Sequence, residues 1–165
     1  MNRQLILIRH TKSSHDNLLL SDFERPIRKD RAADTENIAK HLAKFNIQPD
    51  LVICSPAKRT KQTAEIVCPI LGYPTSQIEW NESIYESSEE DLLFAIQSTD
   101  AAIKTLIIIG HNPAMTYLAN RFSKNDFIAN VPTSGVVGFS FQSKDWQIAT
   151  TTPHERLFFF GPKTI

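Results

Sequence analysis

Three short stretches of the chain hold side chains able to handle a phosphoryl group. "RHTKS" opens with Arg9 and His10, "SPAKRT" contains Arg59, and "GHNP" contains His111. A neutral imidazole can attack phosphorus in line and become phosphohistidine. Guanidiniums neutralise the equatorial oxygens and hold them in bidentate fashion, and a second imidazole can donate to the same oxygens. This chemistry needs no metal and no cofactor. The chain has no G-x-x-x-x-G-K-[ST] and no G-x-G-x-x-G pattern. Each stretch alone has a plainer reading. A histidine after a strand is often structural, Ser55-Pro56 is common helix capping, "GHNP" suits a tight turn, and Arg59 could be a solvated helix residue. Their joint occurrence after successive strands is what favours a site.

The stretches form one site only if the fold brings them together. Residues 5–8, 51–54 and 106–109 are short apolar runs. The first and third are rich in Leu and Ile without polar alternation, the pattern of strands covered on both faces. Helical patterns fall between them. Ile38, Leu42 and Phe45 at i, i+4 and i+7 predict a helix over 32–45. Ser55-Pro56 reads as an N-cap followed by a first-turn proline, with Ala64, Val67 and Leu71 on the apolar side and Gly72 as the stop. Ser88 and Asp91 predict a capping-box-like start to a helix over 89–97. Asn112-Pro113 repeats the cap-then-proline signal ahead of Met115, Leu118, Ala119 and Phe122. Such alternation predicts a largely parallel sheet with helices on both faces. Ligands bind beyond the carboxyl ends of strands in sheets of this kind, where helix N-termini also favour an anion. After residue 130, stretches 136–141, 146–150 and 157–160 read as strands. The first two would form a hairpin about Ser143-Lys144-Asp145, adding antiparallel edge strands and making the sheet mixed. "RLFFFG" is apolar enough to be expected under cover.

The 165 residues suit one domain over 1–165. With 41% apolar and 22% charged residues the composition is that of an ordinary globular protein, and zero formal net charge gives no global pull toward nucleic acid or an anionic membrane. No apolar stretch approaches the ~20 residues that span a bilayer. The start "MNRQLILIRH" lacks a signal-peptide cleavage pattern. Cys54 and Cys68 sit in apolar settings without CxxC or zinc spacing, so reduced, packed thiols and a cytoplasmic location are expected. A monomer is the default expectation.

Taken together, "LILIRHTKS", "SDFERPI", "LVICSPAKRTKQTAEIV" and "TLIIIGHNPAMTYLA" resemble the histidine phosphatase superfamily, and within it the small SixA-like phosphohistidine phosphatases. The resemblance spans roughly residues 4–122 in matching order. It implies a three-layer α/β/α sandwich with a mixed, mostly parallel central sheet, as in phosphoglycerate mutases, and a phosphohistidine intermediate. His10 would be the nucleophile, Arg9 and Arg59 would bind phosphate, and His111 would complete the pocket. Asp22 and Arg25 match an Asp and an Arg that precede the family's Arg-Pro-Leu step, and with Thr11 and Ser13 they are candidates to line the pocket.

Three departures stand out. The usual third residue of Arg-His-Gly is Thr11, and a β-branched residue disfavours a positive φ. Arg28-Lys29-Asp30-Arg31 replaces the usual Thr-x-x-Gly, as a basic rim or as solvated surface. The carboxylate that phosphoesterase members use as proton donor has no firm counterpart; Glu86, Glu82 and Asp22 are the candidates. An alkoxide leaving group needs a strong acid, whereas nitrogen leaves a P–N bond with far less help. The expected function is therefore dephosphorylation of phosphohistidine on a partner protein, such as a phosphotransfer domain. The alternatives are a phosphatase of small phosphate monoesters and a binding module without turnover. His15 and His41 are expected at the surface, His154 in a turn, and Tyr85 in packing.

Overall fold

Successive side chains of strand β1 (Asn2–Arg9) point to opposite faces. Leu5 and Leu7 join one apolar cluster and Ile6 and Ile8 the other, none more than 1% exposed. The strand must therefore be covered on both sides. The computed structural model describes residues 2–165 and supplies that cover. Helices α1 (Ala32–Ala43) and α2 (Lys58–Ile70) lie on the face of Ile6 and Ile8, and α3 (Glu89–Gln97) and α4 (Ala114–Phe122) on the face of Leu5 and Leu7. Between them the six-stranded sheet runs β3-β2-β4-β1-β5-β6. Strands β2 (Leu51–Cys54), β3 (Glu79–Trp80) and β4 (Thr105–Gly110) run parallel with β1, while β5 (Val136–Gln142) pairs antiparallel with β1 and β6 (His154–Phe160) antiparallel with β5. This is the expected three-layer sandwich with a mixed sheet. Among the described residues no helix is long and apolar enough to cross a membrane.

The helix signals held where local chemistry decides them. Ser88 and Asp91 close a reciprocal capping box at α3. Gly72, at φ 73°, ends α2 with the paired bonds of a Schellman motif: its N–H donates to Pro69 O, and Tyr73 N–H to Cys68 O. Both cysteines are free and buried, and burial pushes their thiols up, Cys68 to about 12.

Six expectations need correction. Helix α1 stops at Ala43, because the chain turns through left-handed Asn46 at φ 56°. Ser55 does not cap α2, which starts three residues later with Ala57 at the cap; the Ser55 hydroxyl is used elsewhere. Residues 146–150 form no strand. Their alternation is real, with Trp146 and Ile148 buried, but they face the loop before β4 and helix α3 rather than a ladder. The hairpin partner of β5 is instead β6. That strand forms the sheet edge and is half covered, with Phe160 buried against α1 while Leu157 and Phe159 stay exposed. His41 stacks edge-on against Phe160 and is half-buried rather than surface, and His154 opens β6 instead of standing in a turn.

Arg3 anchors the sheet at the end away from the strands' carboxyl termini. Its side chain is fully buried, and it donates to the carbonyls of Ser143, Ala101, Ile103 and Lys144, with Trp146 at 5.6 Å. Removing the guanidinium takes a charged donor from four carbonyls, of which Ser143 and Ile103 lie on half-buried residues. Arg3→Met should therefore lower unfolding stability by about 3 kcal/mol or more. Denaturant titration followed by tryptophan fluorescence measures the loss.

Candidate active site

The sheet register sets three strand ends level. Arg9 pairs with Gly110, and Cys54 pairs with Ile109. His10, Ser55 and His111 are the first residues past β1, β2 and β4, and two amides continue the ladder: His10 N–H donates to Gly110 O at 3.1 Å and Ser55 N–H to Ile109 O at 3.1 Å. The imidazoles of His10 and His111 end up with centroids 5.3 Å apart. Arg59 reaches the same place from the first turn of α2.

Each imidazole has one nitrogen tied down. His10 Nδ1 lies 2.6 Å from Thr11 O. A carbonyl only accepts, so Nδ1 carries the proton, and Nε2, which has no protein partner, presents its lone pair. His111 Nε2 lies 2.8 Å from Ser55 Oγ, which also accepts from Ala57 N–H at 3.4 Å. The Ser55 hydroxyl proton has no other acceptor among the described residues, so it goes to Nε2 and the His111 proton is assigned to Nδ1. That Nδ1 is buried without a partner. The pair thus offers one bare nitrogen lone pair and one N–H donor.

The charges around them are unbalanced. Arg9 donates to Val131 O at 2.9 Å, and Arg59 donates to Asp22 O at 2.8 Å and to Asp22 Oδ2 at 3.1 Å. The Nε atoms of both arginines are buried and unpartnered. Arg25 donates to Asp22 Oδ1 at 2.9 Å and lies against the ring of His15, which is exposed as expected. Two guanidiniums thus share the Asp22 carboxylate, and Arg9 has no carboxylate partner among the described residues. Burial and the Arg59 charge lower the Arg9 pKa. Burial, reinforced by the three arginines against the Thr11 carbonyl, lowers His10 to about 4, and burial with Arg59 lowers His111 to about 3. Burial alone would raise Asp22, but hydrogen bonds from Tyr85 and Arg59 outweigh it and hold the carboxyl at about 2.

Not every residue singled out from the sequence joins this cluster. Asp22 and Arg25 do. Glu82 and Glu86 are exposed, and neither makes a hydrogen bond or ion pair with the cluster, although the Glu86 charge is felt at Tyr85. Ser13 bridges Ile27 through its backbone, and no hydrogen bond ties its hydroxyl to the cluster. Thr11 points away from the mouth, its hydroxyl bonded to Thr35 and Thr63. Its backbone is also ordinary: the described non-glycine residues with positive φ are Asn46, Glu86 and Ser134, so the loop needs no glycine at position 11. Sequence reasoning missed two members. Tyr85, read as packing, donates to Asp22 Oδ2 at 2.7 Å and meets the His111 ring edge-on at 5.5 Å. Ser55 was read as a helix cap; its place one residue past an apolar run was the available signal.

The two imidazoles stay neutral in the fold but protonate once it unfolds. Below the ordinary histidine pKa of about 6.5 the unfolded chain therefore binds more protons, and stability falls as pH falls. Thermal stability should decline on acidification from about pH 6.5. NMR titration of the ring protons should give midpoints near 4 for His10 and near 3 for His111.

Comparison with known proteins places this geometry in a family. An uncharacterized chloroplastic protein of Arabidopsis thaliana is 29% identical over 133 residues, covering 74% of this chain. The chain matches over only 60% of that relative's length. Among solved structures, the protein histidine phosphatase SixA complexed with tungstate superposes with a TM-score of 0.80 at 20% identity, covering 97% of both chains. A SixA from Agrobacterium tumefaciens gives 0.80 at 23% identity, covering 97% of this chain and 99% of its own. A mycobacterial glucosyl-3-phosphoglycerate phosphatase shares the fold more loosely, with a TM-score of 0.66 at 11% identity over 94% of this chain and 98% of its own. The family model for the histidine phosphatase superfamily, branch 1, matches residues 5–92. That stretch carries Arg9, His10, Asp22, Arg25 and Arg59 and exceeds half of the chain, so the protein belongs to branch 1 of the histidine phosphatase superfamily.

Proposed function

We propose that the protein is a phosphatase that forms phosphohistidine on His10 and whose substrate is phosphohistidine on a partner protein. One observation carries this reading: a neutral imidazole, its Nε2 uncommitted, stands 5.3 Å from the His111 ring and within the field of Arg9 and Arg59, and all three of those residues hold a buried nitrogen without a partner. Buried donors without acceptors cost free energy, and an oxyanion is the ligand that would satisfy them together. The SixA structure that holds tungstate, itself an oxyanion, agrees with a pocket of this kind.

The chemistry proceeds in two displacements. His10 Nε2 forms a bond to phosphorus as the P–N bond of the substrate breaks. A substrate imidazole already protonated on its other nitrogen leaves neutral, so the protein need not supply a proton. Water then attacks the phosphoryl group on His10, its proton passes to phosphate or solvent, and the imidazole is regenerated. Arg9, Arg59 and the His111 Nδ1–H neutralise charge on the equatorial oxygens, and Arg25 adds to the field. The guanidiniums fill the electrostatic role that a metal plays in other phosphatases.

Two further features bear on the substrate. The carboxylate inside the cluster is Asp22, ionised at neutral pH and held by two arginines and Tyr85, which suits it to positioning Arg59 rather than protonating an alkoxide. Burial and its bond to Asp22 push the Tyr85 hydroxyl to about 12, too weak an acid for that task. A site without a ready acid favours P–N over P–O substrates. The loop that carries Asp22 also exposes Leu18, Leu19 and Phe23, at 89%, 94% and 40%, and Phe23 packs against Tyr85. An apolar rim of this kind suits a substrate presented by another protein.

His10→Ala should abolish formation of an acid-labile phosphoenzyme and cut turnover by about a thousand-fold or more. Retention of full activity by that variant would overturn the mechanism. Turnover of a phosphohistidine protein should exceed that of a phosphoserine-type ester by about a hundred-fold, the lower range of what a general acid contributes. Equal turnover of both in a steady-state comparison would point instead to a phosphatase of small esters.

A further inference from the structure

Beneath His10 lies a file of four buried hydroxyls, from Thr63 on α2, Thr11 in the loop after β1, Thr35 on α1 and Ser134 just before β5. Each has one proton to give, so the direction follows by elimination. Thr63 donates to Arg59 O at 2.7 Å. Its oxygen therefore accepts, from Thr11 N–H and from Thr11 Oγ1, both at 2.9 Å. With the Thr11 proton used, Thr35 donates to Thr11 at 2.5 Å. Ser134 then donates to Thr35 at 2.8 Å. The file runs one way, from Ser134 through Thr35 and Thr11 to Thr63, and ends on the carbonyl of Arg59.

Both ends meet backbone on which the site depends. The Ser134 N–H donates to Arg9 O at 3.1 Å and to His10 O at 3.0 Å, and Ser134 holds the left-handed φ of 61°. In the middle, Thr11 has both its amide and its hydroxyl committed to Thr63, which fixes the plane of the His10–Thr11 peptide and anchors the Thr11 Cα and side chain from which the next peptide starts. The carbonyl of that peptide accepts the His10 Nδ1 proton. Four valines and alanines could fill the same space, so packing alone does not call for hydroxyls here.

We infer that this hydroxyl file holds the Thr11 carbonyl on His10 Nδ1 and so keeps the lone pair on Nε2, making Thr11, Thr35, Thr63 and Ser134 positioning residues for the nucleophile. The inference rests on the reading of His10 as nucleophile given above. Through Thr63 the same file ties the first turn of α2, and with it Arg59, to the loop of His10.

The test is a pair of substitutions at one position. Thr35→Val keeps the volume, leaves the Ser134 hydroxyl without an acceptor and leaves Thr11 without a donor. Thr35→Ser keeps the file. Two readouts apply: steady-state kcat and KM with a phosphohistidine protein, and ¹⁵N–¹H correlation of the ring nitrogens of His10. The wild type and Thr35→Ser should show one tautomer, protonated on Nδ1. Thr35→Val should show mixed tautomers and a kcat lower by about ten-fold, with KM changed by less than about two-fold. A single Nδ1–H tautomer in Thr35→Val, equal losses in both variants, or a loss confined to KM would overturn the inference. If Thr35→Val does not fold, Thr63→Val against Thr63→Ser makes the same comparison with the same deciding outcomes. The ring-nitrogen signal needs no substrate, so the two readings fail separately. Turnover surviving in His10→Ala removes the mechanism, whereas an unmoved tautomer removes only the positioning role.

Discussion

The site depends on one short bond, from His10 Nδ1–H to the carbonyl of Thr11 at 2.6 Å. An imidazole free to exchange tautomers would present its nucleophilic lone pair only part of the time. Burial sharpens the requirement, because at this depth a nitrogen is either committed to a partner or costly. The surrounding backbone leaves little freedom. The amides of Arg9, His10 and Thr11 donate to Gly135, Gly110 and Thr63, and the carbonyls of Arg9 and His10 accept from Ser134. With those groups satisfied inside the fold, the loop carries the imidazole as part of a rigid frame.

That frame holds a strained electrostatic arrangement. Arg25 and Arg59 share one ionised carboxylate while Arg9 has none, and burial, reinforced by the arginine charges, keeps the imidazoles neutral well below the usual histidine range. Neutrality is what a nitrogen nucleophile needs, so under the proposed function the burial and repulsion that lower stability in acid also prepare His10 for attack. Asp22 is the counterweight. By taking the outer N–H groups of Arg59 it aims the guanidinium while leaving Nε uncommitted. Tyr85 and Arg25 hold Asp22 in turn, so the polar contacts continue outward from the imidazoles to the rim.

What could be read from the sequence divides along physical lines. Strand ends are local facts: an apolar run stops, and a charged or hydrogen-bonding residue follows, as at Arg9, Ser55 and His111. The capping box at Ser88 and the left-handed Gly72 are equally local, and both were visible. Residues 146–150 show where period-two burial misleads, since Trp146 and Ile148 alternate inward without a strand to pair with. Tyr85 and the hydroxyls of Thr35, Thr63 and Ser134 gave no local signal at all. Their roles come from contacts across 63 residues in the case of Tyr85 with Asp22, and across 99 in that of Thr35 with Ser134. The doubt over Thr11 was a fair one from its side chain, and it dissolved because the backbone turns elsewhere, at Ser134.

The placement of that turn follows from the mixed sheet. Beside β1, on the side away from β4, an additional parallel strand would deliver its carboxyl end to the mouth and its start to the far edge. Strand β5 is antiparallel, so Val136 pairs with Ile8, and the chain enters β5 at the mouth itself. Residues 131–135 consequently cross behind His10: Val131 O receives Arg9, Ser134 N–H grips the carbonyls of Arg9 and His10, and Gly135 O receives the Arg9 amide. The glycine is required there, because a Cβ on Gly135 would lie 2.7 Å from Pro132 O. A left-handed serine costs roughly 1 kcal/mol in backbone strain, and its amide grips the His10 loop while its hydroxyl reaches Thr35 on α1. The antiparallel strand, which adds no catalytic side chain of its own, thus supplies the support that the parallel strand ends cannot make for themselves.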